Sequence, residues 1–433
     1  MGQIGIVHYE LNPVAEGKTK ILYPVVGDER RVVILNKDAI TGGDGAKRDE
    51  IPGKGAWCTT FTANAFRLLA ECGLPAFMRR LSPVHALAPR CTMIRFEVVV
   101  RRENAGSFAK RHPWVKPGEV FPRLVYEVFL KTTGKMWDGH TLPVDDPLAT
   151  MYGDGSLALW LPSVPLHAQR EPLLVLQNDW PLSDRRHLLD AIEQYALRGF
   201  LVLEKAWQLL GGRLIDIKFE FGIDDTGTLV FADVITPDEH RLIWEGKHLD
   251  KQPYRDGAPL AEVAEVYATA AMLSERFGVP RQQVILWRAS SRDDLAPFKQ
   301  ELDCVLGRGF VAQTVTASAH KEPERCVAEL RDLVHAIPDS VVIAHVGRSN
   351  GLGPMLAANT MAPVITVPAS VREFPDDVWS SLRAPSDVPV MTVLDPANAV
   401  QAALRILAQR SPYLYADTRF ALEGRLRNSV PMM

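Results

Sequence analysis

The sequence has few cysteines, no excess of charge of either sign and no long apolar run. Its 433 residues include five cysteines, widely spaced and without a Cys-x-x-Cys pair, which argues against a disulfide scaffold and a structural zinc site. The 49 basic and 52 acidic residues nearly balance, so neither nucleic acid nor an anionic membrane is an expected partner. No stretch could span a bilayer, and the first ten residues lack the regions of a secretory signal. We therefore expect a cytoplasmic globular protein with free thiols.

The length exceeds the size at which a single hydrophobic core usually stops growing, so more than one domain is expected. Residues 247–259 are polar and interrupted by proline, which is typical of a domain end. Apolar residues at helical spacing follow, up to a Gly-Val-Pro stop at residues 278–280. The pattern predicts a first domain over residues 1–256, a connecting helix over 257–281 and a second domain over 282–433.

Two apolar runs around a turn, at residues 215–221 and 228–234, predict a β-hairpin. Glu220 and Asp233 interrupt these runs. On paired antiparallel strands two such carboxylates can lie close together, and Mg²⁺ prefers a few carboxylates combined with phosphate oxygens. The hairpin alone leaves two interpretations open: a metal site, or acids that face water.

Two other segments of the first part carry the residue types that bind anions. The EGKTK segment at residues 16–20 places a glycine among lysines, which suits a phosphate or an ordinary solvated turn. Residues 101–111 collect four basic side chains around a Gly-Ser pair, which suits an anion site or an exposed basic turn. Residues 37–55 are interpreted as a long loop, and residues 137–180 as a lid-like or irregular insertion.

The second part alternates strands with helices, and its strands are almost entirely apolar, which predicts a parallel sheet covered on both faces. Ligands of such sheets bind beyond the carboxyl ends of the strands. Three polar clusters follow predicted strands, at residues 289–293, 318–321 and 347–352. This coincidence predicts a binding site there, although a His-Lys pair at a helix start would more often be a helix cap.

The motifs of both parts resemble two enzyme families. EGKTK, GKG (53–55), VVRRENAGSFAKR, DIKFEFG and ADVITPDEHR resemble succinocarboxamide-ribotide (SAICAR) synthetases in order and spacing. SAHK (318–321), GRSNGLGP (347–354) and SSLRAPS (380–386) resemble aminoimidazole ribotide (AIR) carboxylases that use CO₂ directly. The resemblance implies an α+β, ATP-grasp-like synthetase domain. It also implies a three-layer α/β carboxylase domain with a flavodoxin- or Rossmann-like parallel sheet.

For the first domain, the resemblance implies ATP-dependent joining of L-aspartate to the carboxylate of carboxyaminoimidazole ribotide (CAIR). It assigns Lys18 and Lys20 to ATP phosphates, and Glu220 and Asp233 to Mg²⁺ and nucleotide. The residues implied for the ribotide substrate are Arg101, Ser107, Lys131, Asp146 and Arg241.

For the second domain, the resemblance implies carboxylation of AIR by CO₂ to give CAIR, with His320 and Lys321 in proton transfer and CO₂ or carboxylate binding. The residues implied for the substrate are Ser290, Asp293, Ser318, Arg348, Ser349 and Asn350. Carboxylases of this family assemble into octamers, so a homo-oligomer is expected, in a cytoplasmic enzyme of purine biosynthesis.

One loop departs from the family pattern. The family's first phosphate loop reads Gly-Ser-x-Ser-Asp, whereas this chain has Ala289 and Arg292 at the first and fourth positions. An alanine can block close approach or positive φ, and the arginine replaces a small hydroxyl. Two alternatives therefore stand beside the bifunctional enzyme: a specialised paralogue that joins an amino acid to a related azole carboxylate, and a second domain that is a non-catalytic oligomerisation scaffold.

Overall fold

The computed structural model describes residues 1–42, 47–137, 139–177 and 185–427. The chain divides into two compact units. The first contains residues 1–278 together with the segment that begins at Arg419, and the second is Val279–Thr418. Among the described residues, no helix is both long and apolar enough to cross a membrane.

The N-terminal part of the first unit is an antiparallel sheet in which strands pair in the order β1-β2-β4-β5-β9-β8, with β3 paired to β4. Helix α1, Lys54–Glu71, follows the glycine at 53, whose φ of 90° is open to glycine but rarely to other residues. The strands are β1 Gly2–Ile4, β2 Val7–Tyr9, β3 Ala15–Glu16, β4 Lys20–Val25, β5 Asp28–Asn36, β6 Ala39–Gly42, β7 Lys47–Glu50, β8 Arg79–Arg80 and β9 His85–Pro89.

A second antiparallel sheet of the first unit has the order β16-β15-β14-β11-β10-β17-β19-β20, with β18 on β17. Its strands are β10 Thr92–Glu103, β11 Val120–Leu130, β14 Leu148–Met151, β15 Leu157–Trp160, β16 Leu174–Leu176, β17 Gly212–Ile223, β18 Leu229–Ala232, β19 His240–Trp244 and β20 Lys247–His248, and the small pair beside it is β12 Met136–Trp137 and β13 His140–Thr141. The helices are α2 Gly106–Arg111, α3 Arg185–Leu209, α4 Gln252–Arg255 and α5 Leu260–Ser274. Phe200 and Trp207 of α3 are buried, as is Phe219 of β17, so helix and sheet share an apolar core.

Two sequence interpretations were wrong. Residues 37–42 and 47–55 are not simply a loop, because β6 and β7 pair antiparallel, with Ile40 opposite Asp49, and residues 43–46 lie outside the described residues. Within the predicted insertion, residues 139–177 are not irregular, since β14, β15 and β16 extend the second sheet, and residues 138 and 178–180 lie outside the described residues. The turn between β14 and β15 contains Asp154 and Gly155, with φ of 88° at the glycine, which is ordinary hairpin chemistry.

Helix α5, within the segment predicted to connect the domains, packs on the first unit. Its residues Val263 and Tyr267 are buried in a cluster with Ile40, Ile51 and Tyr254. This apolar contact explains why residues up to 278 group with the first unit.

The second unit is built on a sheet of parallel strands in the order β22-β21-β23-β24-β25. Its strands are β21 Gln282–Arg288, β22 Phe310–Thr316, β23 Ser340–Val346, β24 Val364–Pro368 and β25 Met391–Thr392, and its helices are α6 Ala296–Asp303, α7 Pro323–Ala336, α8 Leu352–Ala358, α9 Trp379–Leu382, α10 Pro396–Leu407 and the start of α11 Pro412–Arg427. Every residue of β23 is buried, as expected for a strand covered on both faces. The predicted parallel sheet is therefore confirmed.

Candidate active sites

The predicted hairpin brings its two carboxylates to neighbouring positions. Glu220 on β17 pairs with Ala232 on β18, and Asp233 follows directly. Asp233 has a φ of 59°, an uncommon conformation for a residue with a side chain and one that concentrates at functional sites. The antiparallel pairing therefore places both acids at one end of the hairpin.

Two ammonium groups hold Glu220. Lys131 Nζ donates to its two carboxylate oxygens at 2.7 and 2.6 Å, and Lys218 Nζ donates at 3.2 Å. Burial alone would raise the pKa of Glu220, but Lys218 and Lys131 lower it below its ordinary value. Glu220 is therefore a buried anion, and Lys218 is shared with Glu97 at 2.9 Å.

Lys20, the first residue of β4, forms an ion pair with Asp233. Burial lowers the pKa of Lys20 to about 8, against the opposing effect of Glu239 and Glu220. The EGKTK segment and the acidic hairpin, more than 200 residues apart in sequence, thus meet in space. Lys18 lies in the tight turn before β4, where Gly17 N donates to Lys20 O at 2.9 Å.

Arg101, Ser107 and Arg241 form a second cluster. Arg241 Nη1 donates to Asp216 Oδ2 at 2.6 Å, and Arg101 Nη1 contacts the same oxygen. Arg101 Nη2 lies 3.4 Å from Ser107 Oγ. Gly106, with φ of 59°, lies against the Arg241 guanidinium, which occupies the space that a Cβ would need. Two guanidinium groups beside a hydroxyl are suited to a phosphate or carboxylate.

Asp146 lies near Lys131 but makes different contacts. Its Oδ1 accepts from Thr132 N at 2.9 Å, and its backbone has a φ of 44°. Thr132 follows Lys131 directly, so this turn fixes the chain next to the lysine that holds Glu220.

A small pocket adjoins Lys20 in the first unit and includes residues that the sequence interpretation did not assign. Lys54 Nζ donates to Asp238 Oδ2 at 3.0 Å, and both side chains line this pocket with Glu239. Burial alone would raise the pKa of Asp238, but Lys54 and Lys251 lower it to about 2. Burial and then the charge of Asp238 raise the pKa of Glu239. Charged groups of both signs therefore meet in one pocket, in which Lys54 is buried and Asp238 and Glu239 are partly buried.

In the second unit, the three polar clusters lie at the carboxyl edge of the sheet, because the adjacent strands β22, β21 and β23 run parallel. In the first cluster, Ser290 N donates to Asp293 Oδ2 at 2.9 Å, and Arg288 Nη1 donates to Asp293 O at 3.0 Å. Ala289 does not have positive φ, so its backbone is unstrained. Arg292 is exposed.

The second and third clusters touch each other. The His320 ring lies against Gly351, where a Cβ would come within 2.5 Å of His320 Nε2. Ser318 O accepts from Lys321 N at 3.1 Å in the turn that carries both His320 and Lys321. His320 and Lys321 are exposed, as a group that meets a substrate must be.

The third cluster is fixed by α9. Asn350 N donates to Ser380 Oγ at 3.1 Å, and Asn350 Nδ2 donates to Ser381 Oγ at 3.0 Å. Asn350 Oδ1 accepts from Gly353 N at 2.8 Å, and Ser349 O accepts from Gly351 N at 2.9 Å. The Arg348 guanidinium lies 3.7 Å from the centre of the Phe374 ring.

Comparison with known proteins finds two families along the chain. The family described as SAICAR synthetase matches residues 13–141 and 177–271, and the family described as AIR carboxylase matches residues 284–421. A Caenorhabditis elegans protein described as "Probable multifunctional protein ADE2" is 33% identical over 431 residues, covering 97% of this chain and 95% of that protein.

The chain belongs to the SAICAR synthetase family and carries an AIR carboxylase domain. It is also 32% identical over 428 residues to the human bifunctional phosphoribosylaminoimidazole carboxylase/phosphoribosylaminoimidazole succinocarboxamide synthetase, covering 94% of this chain and 92% of that protein. A Roseiflexus castenholzii phosphoribosylaminoimidazole-succinocarboxamide synthase is 36% identical over 248 residues, which are 56% of this chain and 86% of that protein.

These findings confirm the predicted resemblance. They give no support to the specialised-paralogue reading or to the non-catalytic scaffold.

The SAICAR synthetase portion contains charged residues that the sequence interpretation missed, chiefly Lys218 and Asp216. In the DIKFEFG motif Lys218 lies two residues before Glu220 and Asp216 lies four before it, which strand alternation places on the same side of β17, so the alternation could have identified them. Lys54 lies in the GKG motif, but its partner Asp238 is 184 residues away, and no sequence spacing could have paired them.

Proposed function

We propose that this chain is a bifunctional enzyme of de novo purine biosynthesis, which joins L-aspartate to CAIR at the expense of ATP and carboxylates AIR with CO₂. The observation that carries the first activity is the meeting of Lys20, Lys131 and Lys218 at Glu220 and Asp233. The family membership carries the second.

In the ligation, a carboxylate oxygen of CAIR attacks the γ-phosphorus of ATP and ADP leaves, which gives an acyl phosphate. The aspartate amine then attacks the acyl carbon, phosphate leaves and the nitrogen loses a proton. Such reactions depend mainly on alignment and charge neutralisation. Lys18 and Lys20 bind the ATP phosphates. Arg101, Ser107 and Arg241 hold the ribotide phosphate and carboxylate, with Lys131 and Asp146 on the substrate side.

Mg²⁺ fits Glu220 and Asp233. Both are carboxylates at one end of the hairpin, and each pairs with a lysine, so each could exchange its ammonium partner for a cation. Among the described residues, no group of three or more His, Cys, Asp or Glu side chains could hold a metal by itself. The donor set therefore suits a metal that is completed by phosphate oxygens, and the bound ion would neutralise phosphate charge.

In the carboxylation, the electron-rich ring carbon of AIR attacks CO₂, and the same carbon then loses its proton. His320 receives this proton, and Lys321 pairs with the new carboxylate. Ser290, Asp293, Ser318, Arg348, Ser349 and Asn350 bind the ribotide around them. The contact of the His320 ring with Gly351 supports a shared pocket for the second and third clusters.

The finer description of the enzyme is part of the same proposal. The first domain, residues 1–256, is ATP-grasp-like. In sequence, residues 257–281 connect it to a carboxylase domain over 282–433, although residues 257–278 and the segment from Arg419 group with the first compact unit. The strand order 2-1-3-4-5 of the second unit supports a flavodoxin-like fold, whose ligands bind between its first and third strands. The enzyme is a cytoplasmic homo-oligomer, octameric by its carboxylase domain.

The direct test measures ADP release by the full chain with ATP, Mg²⁺, CAIR and L-aspartate, omitting each in turn. Decarboxylation of CAIR without ATP is measured on the same preparation. ADP release that needs both CAIR and aspartate is expected, whereas release without either, or none at all, would refute the ligase proposal. A light-scattering mass equal to one chain would refute the oligomer.

A further inference from the structure

The C-terminal helix supplies a buried carboxylate to the first unit. Glu423 of α11 belongs to the segment that groups with this unit and is 6% exposed. Its Oε1 accepts from Arg102 Nη2 at 2.8 Å and from Arg419 Nε at 2.7 Å, and its Oε2 accepts from Leu124 N at 2.7 Å. Arg102 also binds Glu204 of α3, with Nε to Oε1 at 2.7 Å. A buried carboxylate that accepts from three donors is held in one position.

These contacts converge on an irregularity between β10 and β11. Arg101 pairs with Val125, but Glu103 pairs with Val120, so residues 121–124 lie opposite Arg102 alone. Such a bulge leaves backbone groups without ladder partners and re-aims nearby side chains. Here Glu423 accepts from Leu124 N, Arg102 Nη1 donates to Phe121 O at 3.3 Å, and Arg419 Nη2 donates to Pro122 O at 3.2 Å. Side chains thus satisfy the bulged backbone.

The same bulge adjoins the proposed ribotide-binding cluster. Successive residues of a strand point to opposite faces, so Arg102 faces Glu423 while its neighbour Arg101 faces Asp216. Glu127 of β11, three residues beyond Leu124, accepts from Arg101 Nε at 3.0 Å and also pairs with Arg111. A shift of β11 at the bulge would therefore move the carboxylate that orients Arg101.

We propose that Glu423 is a positioning residue for the ligation: by fixing the β10–β11 bulge, it aims Arg101 at the ribotide. This inference rests on the proposed ligase function. It makes the ligase site depend on a residue that follows the AIR carboxylase match, which ends at residue 421.

The test uses full-length Glu423→Ala and Glu423→Gln variants. Ala421→Gln, at an exposed position of the same helix, is the matched control. For Glu423→Ala we expect the KM for CAIR in the ligation to rise about tenfold, the effect of losing a hydrogen bond to a charged group. Glu423→Gln, which still offers an oxygen to Leu124 N, should show a smaller rise. Decarboxylation by the second unit should stay within about twofold, since the contacts of Glu423 described above all lie within the first unit.

An unchanged KM for CAIR in both variants would overturn the inference. A fall in ligation kcat that only matches the fraction of unfolded protein would also overturn it, since that result indicates a structural role alone. If Glu423→Ala does not fold, Glu423→Gln decides by the same criterion.

Hydrogen exchange of the backbone, measured on peptides covering residues 121–130, tests the rigidity of the bulge without any catalytic turnover. Faster exchange is expected in the Glu423 variants and not in Ala421→Gln. If the wild-type chain does not ligate, the proposed function fails. Exchange at the bulge, together with the affinity for CAIR measured by calorimetry, then still decides whether Glu423 positions the site.

Discussion

Arg241 and Asp216 are cross-strand partners: the two residues pair in the register of β17 and β19, and Arg241 Nη1 donates to Asp216 Oδ2 at 2.6 Å. Arg101 contacts the same oxygen from β10, the strand on the other side of β17. The carboxylate of Asp216 thus fixes the distance between the guanidinium groups of Arg101 and Arg241. The backbone of Gly106 then limits how far the Arg241 guanidinium can move.

Replacing Gly106 tests this spacing. In Gly106→Ala the new Cβ would displace the Arg241 guanidinium, and the KM for CAIR should rise about tenfold, the effect of weakening a charged hydrogen bond. Gly118→Ala is the matched control. Gly118 also has positive φ (76°), but a Cβ at this position would have no neighbouring atom within 4 Å. Both variants should lose about 1 kcal/mol of stability from backbone strain. Equal KM values for CAIR in the two variants would contradict the assignment of Arg241.

Asp233→Asn tests the acidic hairpin. Removing one of the two carboxylates proposed to lie beside the ATP phosphates should lower the rate of ADP release by about a hundredfold or more. Asp225→Asn is the control, since Asp225 lies in the turn of the same hairpin and pairs with the exposed Arg30 at 3.1 Å. Its rate should be unchanged, because exposed ion pairs contribute little. A wild-type rate in Asp233→Asn would rule out its role in ligation.

The pKa of Lys20 predicts the alkaline limit of ligation. Burial lowers this pKa to about 8, so the ammonium form proposed to bind phosphate disappears as pH rises through that value. Because kcat/KM reports ionisations of the free enzyme, kcat/KM for ATP should fall about tenfold per pH unit above this value. In Lys20→Arg the guanidinium stays protonated, so the fall in kcat/KM above pH 8 should vanish even if the rate itself is lower. A limb near pH 8 that persists in Lys20→Arg must belong to another group.

The lowered pKa of Lys20 also predicts how the stability of the folded chain changes with pH. The pKa of Lys20 is lower in the folded chain than in the unfolded chain, where it is near 10.5. Between these values the unfolded chain binds more protons, so the contribution of Lys20 to the free energy of unfolding should increase with pH. Urea unfolding of the wild type and of Lys20→Met at pH 7.5 and 9.5 measures this difference. An effect of opposite sign would mean that Lys20 gains, rather than loses, proton affinity on folding.

His320→Asn separates the two activities. Loss of a group that transfers the ring proton should lower decarboxylation of CAIR by about a hundredfold or more. Ligation should be unaffected, since His320 lies in the second unit. Asp233→Asn serves as the reciprocal control, with decarboxylation preserved. If His320→Asn retains full decarboxylation, the proton acceptor is another residue of the three clusters.

The sequence by itself determined the parts of this protein that depend on local pattern. The runs around Glu220 and Asp233 specified a hairpin because alternation and turn residues act over a few positions. The apolar runs that became β21, β22 and β23 specified a parallel sheet, and hence the edge where His320 and Asn350 lie. The motifs that carry the resemblance specified both families.

The local sequence pattern did not predict the short strands that form only when they pair with an adjacent strand. The strands β14, β15 and β16 have four, four and three residues, and they are stable only because each pairs with the next at the sheet edge. The turn residues Asp154 and Gly155 signalled the hairpin, but prolines and aromatics around it obscured the alternation.

Only the tertiary structure decided which charges meet. Lys20 and Asp233 are 213 residues apart, and Arg102 and Glu423 are 321 apart. An ion pair of this separation forms only after the chain has folded, because burial removes the water that would otherwise solvate each charge separately. The sequence therefore determined which residues could do the chemistry, whereas burial and strand pairing decided which partner each of them has.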